Sequence, residues 1–284
     1  MNSLEFRQKL HFPTIIGFTD KELRKIVGEI DKHYREWFEI KYDKTTGLPK
    51  TYKDGTIKRR PIRPSKSKLK LIQSRINTRI LSHIDLPKHI HGGRKKHSNI
   101  TNAKPHQGKK YILTTDLKDF YPSVKSDIVY NTFINLGFNK QCAYYLTRLT
   151  TWKGELPQGT PTSTHISNIV FLKTDTELIE FCTLNHITYT RYIDDLSFSS
   201  QNNFQDYVEE ILKIVKKSGF KISWRKTFYN GSQTITGIKV FLNKIDAPEK
   251  ILKKVEEETI FAGGSIKPYT NYRNNIIKTN RKNK

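Results

Sequence analysis

Between residues 111 and 240 the apolar pattern switches between period two and period 3.6 in an order that few folds accept. Residues 111–116 read as a strand. Residues 126–136 read as a helix, with Ser126 as its cap and Gly137 just past its end. Residues 161–184 read as one longer helix, and residues 187–193 and 196–199 as two strands flanking Asp194. Phe204, Tyr207, Val208, Ile211, Leu212 and Val215 form an amphipathic stripe, followed by short strands at 220–223 and 234–240. Strand–helix–strand–strand–helix–strand is the split βαβ arrangement of an α+β fold. Helices cover one face of such a sheet, and the open face can hold a duplex, although many unrelated proteins share the arrangement.

The flanks read differently. Thr19 and Glu22 form a capping box, and Leu23, Ile26, Val27, Ile30, Tyr34 and Phe38 follow at helical spacing. A polar stretch over 42–68 reads as loops or a hairpin, and Leu69, Ile72, Ile76, Ile80 and Ile84 mark a second helix. Asp246, Pro248 and Glu249 start another helix, which Gly263 and Gly264 end. Residues 265–284 contain no acidic residue and carry Lys267, Arg273, Lys278, Arg281, Lys282 and Lys284 around Tyr269 and Tyr272. That stretch is either a solvated basic tail or a segment that orders on RNA.

Charge narrows the partners. The 51 Lys and Arg residues against 27 Asp and Glu give a net charge of +24, which suits a polyanion such as nucleic acid, or else solvated lysine faces. The two cysteines, Cys142 and Cys182, lie in no CxxC or Cys/His cluster, so they read as core residues of a chain in a reducing compartment, with no zinc site. The first ten residues lack the apolar core of a signal peptide, and no stretch approaches the roughly 18 apolar residues of a membrane span. The expectation is a cytoplasmic protein.

Two short motifs carry chemistry. Asp194 and Asp195 stand side by side between two strands, and Asp116 ends another strand. Each alone reads equally as a turn or a cap. Gathered at one point on a sheet, however, carboxylates give the hard oxygen ligands that divalent cations need for nucleotidyl transfer.

Taken together, these residues resemble the reverse transcriptase family: an aspartate ending the first palm strand, Leu156-Pro157-Gln158-Gly159 leading into a helix, and Tyr192-Ile193-Asp194-Asp195 as a hairpin, in the family's order. The resemblance implies a right-hand polymerase with a ferredoxin-like palm, mostly helical fingers and a short helical thumb. Residues 1–110 would be the N-terminal helices and fingers, 111–243 the palm, and 244–284 the thumb and basic tail. It implies that Asp116, Asp194 and Asp195 are catalytic and hold two Mg2+ ions, with Mn2+ a possible substitute. It makes Tyr121 the gate against a ribose 2′-hydroxyl, and Gln158 and Gly159 the floor under nucleotide and template. Lys226 would lie near the leaving pyrophosphate. In the basic run of Lys58, Arg59, Arg60, Arg63, Lys66, Lys68 and Lys70, it offers Arg60 and Arg63 as triphosphate clamps.

Two more motifs resemble the bacterial retron branch: Asn102-Ala103-Lys104-Pro105-His106, and Thr236-Gly237 after Ile235 where that branch carries Val. Ile193 stands where a small residue is common. The branch implies RNA-binding roles for Asn102, His106, Thr236, Gly237, Tyr269 and Arg273. It also implies a structured noncoding RNA as template and primer, dNTPs, an RNA–DNA hybrid product, and a toxic effector protein in phage defence. A lone His106 is equally a hydrogen-bonding core residue. Three other readings compete: a neighbouring, defence-associated bacterial reverse transcriptase, an RNA-binding scaffold on an inactive polymerase fold, and an intron maturase, for which the 40 or so residues after the palm are short. An RNase H domain is not expected either.

Overall fold

The computed structural model describes residues 4–43, 46–230, 233–260 and 267–280. The chain divides into two compact units, and both are assembled from separate stretches of sequence: Met1–Asp85 with Tyr121–Val170, and Leu86–Phe120 with Phe171–Lys284. These boundaries cut across the three segments read from the sequence.

The first unit is mainly helical. The Thr19 capping box is present, with both reciprocal hydrogen bonds, and starts the helix Asp20–Gly28. That helix buries Leu23, Ile26 and Val27 against a core that includes Phe12, Ile16, Leu69, Ile72, Ile76 and Leu146. Each such side chain contributes about 1.5–3 kcal/mol of burial. The helix ends at Gly28, a 3₁₀ turn follows over Ile30–His33, and Phe38 lies on a strand rather than on the expected helix. The reason is cross-strand pairing. Strand β1 (Trp37–Ile40) runs antiparallel to β2 (Arg59–Ile62), with Phe38 opposite Pro61. The polar 42–68 stretch is therefore a hairpin and its return strand.

The helix Ser67–Arg79 stops before Ile80 and Ile84, which stay buried in the turn that follows. Its one fully buried polar residue, Gln73, accepts from Ser65 and donates to the Tyr34 hydroxyl at 3.0 Å and the Leu149 carbonyl at 2.8 Å. The helix Ser126–Asn135 begins one residue earlier than the expected cap, since Lys125 stands at the N-cap and Ser126 is already helical. Gly137 lies beyond it at φ +85°.

The second unit holds a four-stranded antiparallel sheet in the order β4 (Thr188–Tyr192), β5 (Asp195–Ser200), β3 (Tyr111–Asp116), β6 (Phe228–Tyr229). The helices Leu172–Leu184 and Val208–Lys217 pack together, and the second buries Ile211, Leu212 and Val215. A smaller sheet of β7 (Thr234–Ile235), β8 (Ile238–Val240) and β9 (Ile245–Asp246) shares a buried cluster with Ala103, Ile112 and Ile276.

Several sequence expectations need correction. The expected helix over 161–184 is two helices, Ser163–Val170 and Leu172–Leu184, parted at Phe171. Phe171 is fully buried and packs against Phe120 and Phe220, so tertiary packing overrides helical continuity. Residues 220–223 form only a bridge between Ile222 and Leu117. Residues 234–240 are a hairpin with Thr236 and Gly237 as its turn, both at positive φ, which no straight strand accepts. Asp246 lies in β9 and pairs with Arg273, while the helix itself is Glu249–Ile260.

The Gly263-Gly264 stop, and Arg281, Lys282 and Lys284, lie outside the described residues. The described part of the basic tail, residues 267–280, is folded onto the second unit. Helix Pro268–Lys278 buries Ile276, and its Tyr272 hydroxyl accepts from Asn99 at 2.7 Å. Among the described residues, no helix is long and apolar enough to cross a membrane.

Candidate active site

Three aspartates meet at the joined ends of β3 and β5. Asp116 is the last residue of β3 and lies opposite Asp195, the first of β5. Asp194 occupies the turn between β4 and β5, and its carbonyl accepts the Leu117 N–H at 2.9 Å. The β-rich sequence on either side makes the strands, so the pairing register itself brings the carboxylates together. Burial raises the Asp194 carboxyl above its ordinary value, and the neighbouring Asp116 charge raises it further. A site that crowds like charges in this way favours a cation.

Lys226 supplies one from within the chain. Its Nζ lies 2.6 Å from Asp116 Oδ2. Partial burial pulls the ammonium down, but the hydrogen bond and charge of Asp116, with Asp194 and Asp195 behind it, outweigh that and raise it. Among the described residues, no three His, Cys, Asp or Glu side chains are gathered closely enough to hold a metal ion by themselves. Magnesium needs no such gathering, because it keeps several waters and takes substrate phosphates as ligands. The donor set, all hard carboxylate oxygen, therefore fits the expected ions.

The turn is unusual. Ile193, between Tyr192 and Asp194, has φ +60°, a left-handed conformation that β-branched residues rarely adopt. Gly92 backs it: a Cβ there would lie 2.5 Å from the Ile193 nitrogen.

Lys226 is thus the nucleotide-site candidate that lies with the aspartates in the second unit. The others belong to the first unit. The Tyr121 hydroxyl is 3.1 Å from Thr164 Oγ1. Gln158 offers its carbonyl to the Arg63 N–H at 2.8 Å, and Gly159, at φ +99°, packs against Ile62. The hairpin end thereby docks on the Leu-Pro-Gln-Gly segment. Arg63 is 14% exposed, pairs with Glu36 at 2.6 Å and with Glu155, and stacks over Trp152. It braces the hairpin. Arg60 is exposed and holds Glu39 at 2.7 Å.

The retron-like motifs come together inside the second unit. His106 is fully buried, with Nδ1 2.6 Å from Ser199 Oγ and Nε2 2.7 Å from Thr190 Oγ1. Burial pushes its imidazole down to about 3. Asn102 is also fully buried, and its amide donates to Thr236 Oγ1 at 3.3 Å. Asn99 donates to the Thr236 carbonyl at 3.2 Å and to Tyr272. Tyr269 accepts from Lys254 at 2.7 Å, Arg273 holds Asp246, and Gly237 is exposed at the turn tip. Asn102 and His106 are fully buried and have no surface to offer RNA: for Asn102 this corrects the expected role, and for His106 it favours the hydrogen-bonding core residue over the RNA contact, with both ring nitrogens spent on strand hydroxyls.

Sequence reasoning missed Gly92, Asp175 and Arg191, which support the turn. The available signal was Arg191 itself, a charged residue inside an otherwise β-forming run.

Comparison with known proteins identifies the family. Residues 48–240 match the family model described as reverse transcriptase (RNA-dependent DNA polymerase). The Retron Ec86 reverse transcriptase of Escherichia coli is 30% identical over 224 residues, covering 75% of this chain and 69% of that protein. The Retron Se72 reverse transcriptase of Salmonella heidelberg is 30% identical over 221 residues, covering 78% and 55%. The Retron Mx65 reverse transcriptase of Myxococcus xanthus is 32% identical over 198 residues, covering 62% and 46%. The chain thus spans about half the length of the latter two relatives. A telomerase structure from Candida albicans aligns over 93% of this chain and 59% of that one, with 12% identity and a TM-score of 0.45. The family match covers well over half of the sequence, and the chain belongs to the reverse transcriptases, RNA-dependent DNA polymerases, as a member of the bacterial retron type.

Proposed function

We propose that this chain copies a cognate structured noncoding RNA into DNA from dNTPs, in the bacterial cytoplasm, as the polymerase of a retron that works with an effector protein in phage defence. The observation that carries the reading is the register that sets Asp116 against Asp195, with Asp194 in the adjoining turn. Asp116, Asp194 and Asp195 are the residues that would hold two magnesium ions, with manganese as a substitute. Once held there, the metal supplies Lewis acidity to the attacking hydroxyl and the leaving pyrophosphate.

The chain's own residues do the rest. Lys226 pairs with Asp116 and lies ready to follow negative charge onto the triphosphate. Tyr121 crowds a ribose 2′-hydroxyl, and Gln158 and Gly159 form the floor. Arg60, exposed with a single carboxylate partner, is the better triphosphate clamp, because Arg63 would have to abandon two carboxylates. RNA binds through the exposed basic surface of a chain of charge +24, with Gly237 at a turn tip as one contact.

The test is magnesium-dependent dNTP incorporation on a primed RNA and on the RNA that copurifies with the protein. Asp194→Asn should lose incorporation by at least about a thousandfold, roughly 4 kcal/mol of transition-state stabilisation, and still bind RNA. Full activity in that variant sinks the site assignment. Sequencing the copurified nucleic acid tests the retron reading: RNA joined to DNA at an internal 2′-hydroxyl supports it, and unbranched DNA removes it.

A further inference from the structure

We propose that Arg191, anchored on Asp175, is a positioning residue that holds the 192–195 turn in the form that presents Asp194 and Asp195. This rests on the reading of those aspartates as the catalytic site.

Arg191 is fully buried one residue from the end of β4, an expensive place for a charge. Tyr189 and Arg191 are two apart on the strand, so they share a face, and both reach Asp175 on the helix Leu172–Leu184. Arg191 Nε donates to Asp175 Oδ1 at 2.9 Å and Nη2 to Oδ2 at 2.6 Å, a bidentate fork. The Tyr189 hydroxyl donates to the same carboxylate at 2.8 Å. The guanidinium lies 4.9 Å from the centre of the Phe171 ring. Two donors thus fix its plane, and a third, Nη1, donates to the Ile193 carbonyl at 2.9 Å.

That carbonyl belongs to the strained residue. A left-handed conformation at a non-glycine residue costs roughly 1–2 kcal/mol, and the surroundings must impose it. On the other side, the Arg191 backbone is bracketed by residues 89–91: its N–H donates to the His89 carbonyl and its carbonyl accepts from the His91 N–H, both at 2.8 Å. A buried ion pair is weak support for stability, since apolar residues of similar volume often serve as well. What apolar residues cannot supply is a rigid plane with a spare donor aimed at one carbonyl, and lysine cannot supply it either.

Positioning and mere packing are separable. Arg191→Lys keeps the charge and loses the fork. The pair Arg191→Met with Asp175→Leu removes both charges and leaves no bare ion. Each is purified with its bound RNA and measured for Tm, for kcat and KM with dNTPs, and for Mn2+ affinity by electron paramagnetic resonance. We expect R191K to lower kcat about tenfold or more with KM nearly unchanged, and Mn2+ affinity to weaken severalfold. The double variant should show the same losses with a Tm close to the parent's. Adding Ile193→Gly to R191K should recover part of the kcat, because glycine adopts positive φ unaided.

Parental kcat and Mn2+ affinity in the double variant overturn the proposal. If that variant fails to fold, parental values in R191K, or no recovery on adding Ile193→Gly, overturn it equally. Asp194→Asn separates the two failures. If it is inactive while R191K behaves like the parent, only the positioning role falls, and if it is active, the site assignment falls first.

Discussion

Two hairpin turns in the second unit carry a β-branched residue at positive φ, and they are held in opposite ways. In the β7–β8 turn, Thr236 at φ +46° is tied down through its own groups: its hydroxyl meets Asn102, and its carbonyl accepts from Asn99, which also meets Tyr272. In the β4–β5 turn, Ile193 at φ +60° is held from behind, by Arg191 on its carbonyl and by the close approach of Gly92. The first hold uses the turn's side chain and joins distant parts of the unit. The second grips the Ile193 carbonyl and packs Gly92 against Ile193 itself, so it does not draw on the carboxylates of Asp194 and Asp195.

Gly92→Ala should break the second hold most severely. The added Cβ meets the backbone nitrogen of Ile193 and the Tyr192 carbonyl carbon, at 2.5 and 2.9 Å, and neither can rotate away. We expect a stability loss of about 1–3 kcal/mol and more than a tenfold drop in kcat. A parental melting curve and rate would mean the contact is slack.

Glycine substitutions at the two turns should then differ in sign. Thr236→Gly relieves strain but strips the Asn102 amide of its acceptor, for a net cost of about 1 kcal/mol. Ile193→Gly loses no hydrogen bond, and strain relief exceeds the entropic cost of glycine by roughly 0.5 kcal/mol. Thermal melts of the two variants should move in opposite directions, and movement in the same direction would erase the distinction.

The smallest effect concerns charge. Asp194 has its carboxyl raised, so its ionised form weakens the fold above the ordinary carboxylate range. Asp194→Asn should therefore melt a little above the parent at neutral pH. The gap should close as pH falls through the raised value and the parent's own carboxyl takes up a proton. A gap that is constant with pH would assign the gain to something other than this charge.

Much of this molecule is legible in its residues. Tyr111–Asp116 reads as a strand because its composition and period leave little choice, and the Thr19 cap is a local hydrogen-bond pattern. The aspartates are legible as a set because their order and spacing resemble a family pattern, and the strand register does set Asp116 opposite Asp195. Phe38 and Phe171 were misread for one shared reason: each obeys a partner far away in sequence, Pro61 across a hairpin and Phe120 and Phe220 in a ring cluster. Asn102 reads as a surface contact, and His106 stays open between surface and core, because a motif shows residue type and hides burial. Gly92 and Arg191 were invisible as a pair, since only the parallel bridge between Ile90 and Arg191 makes them neighbours.

The strand order carries a consequence for synthesis. β3 lies inside the four-stranded sheet, between β5 and β6, yet it leaves the ribosome before both of them. At about 5–20 residues per second, its hydrogen-bonding edges stay bare for seconds before β5 arrives. Through that interval the nascent chain exposes an apolar strand with two open edges, the kind of surface on which other chains pair. A slow stretch of translation just after β3 would lengthen that exposure, whereas one after β5 would come when the first edge is already closed.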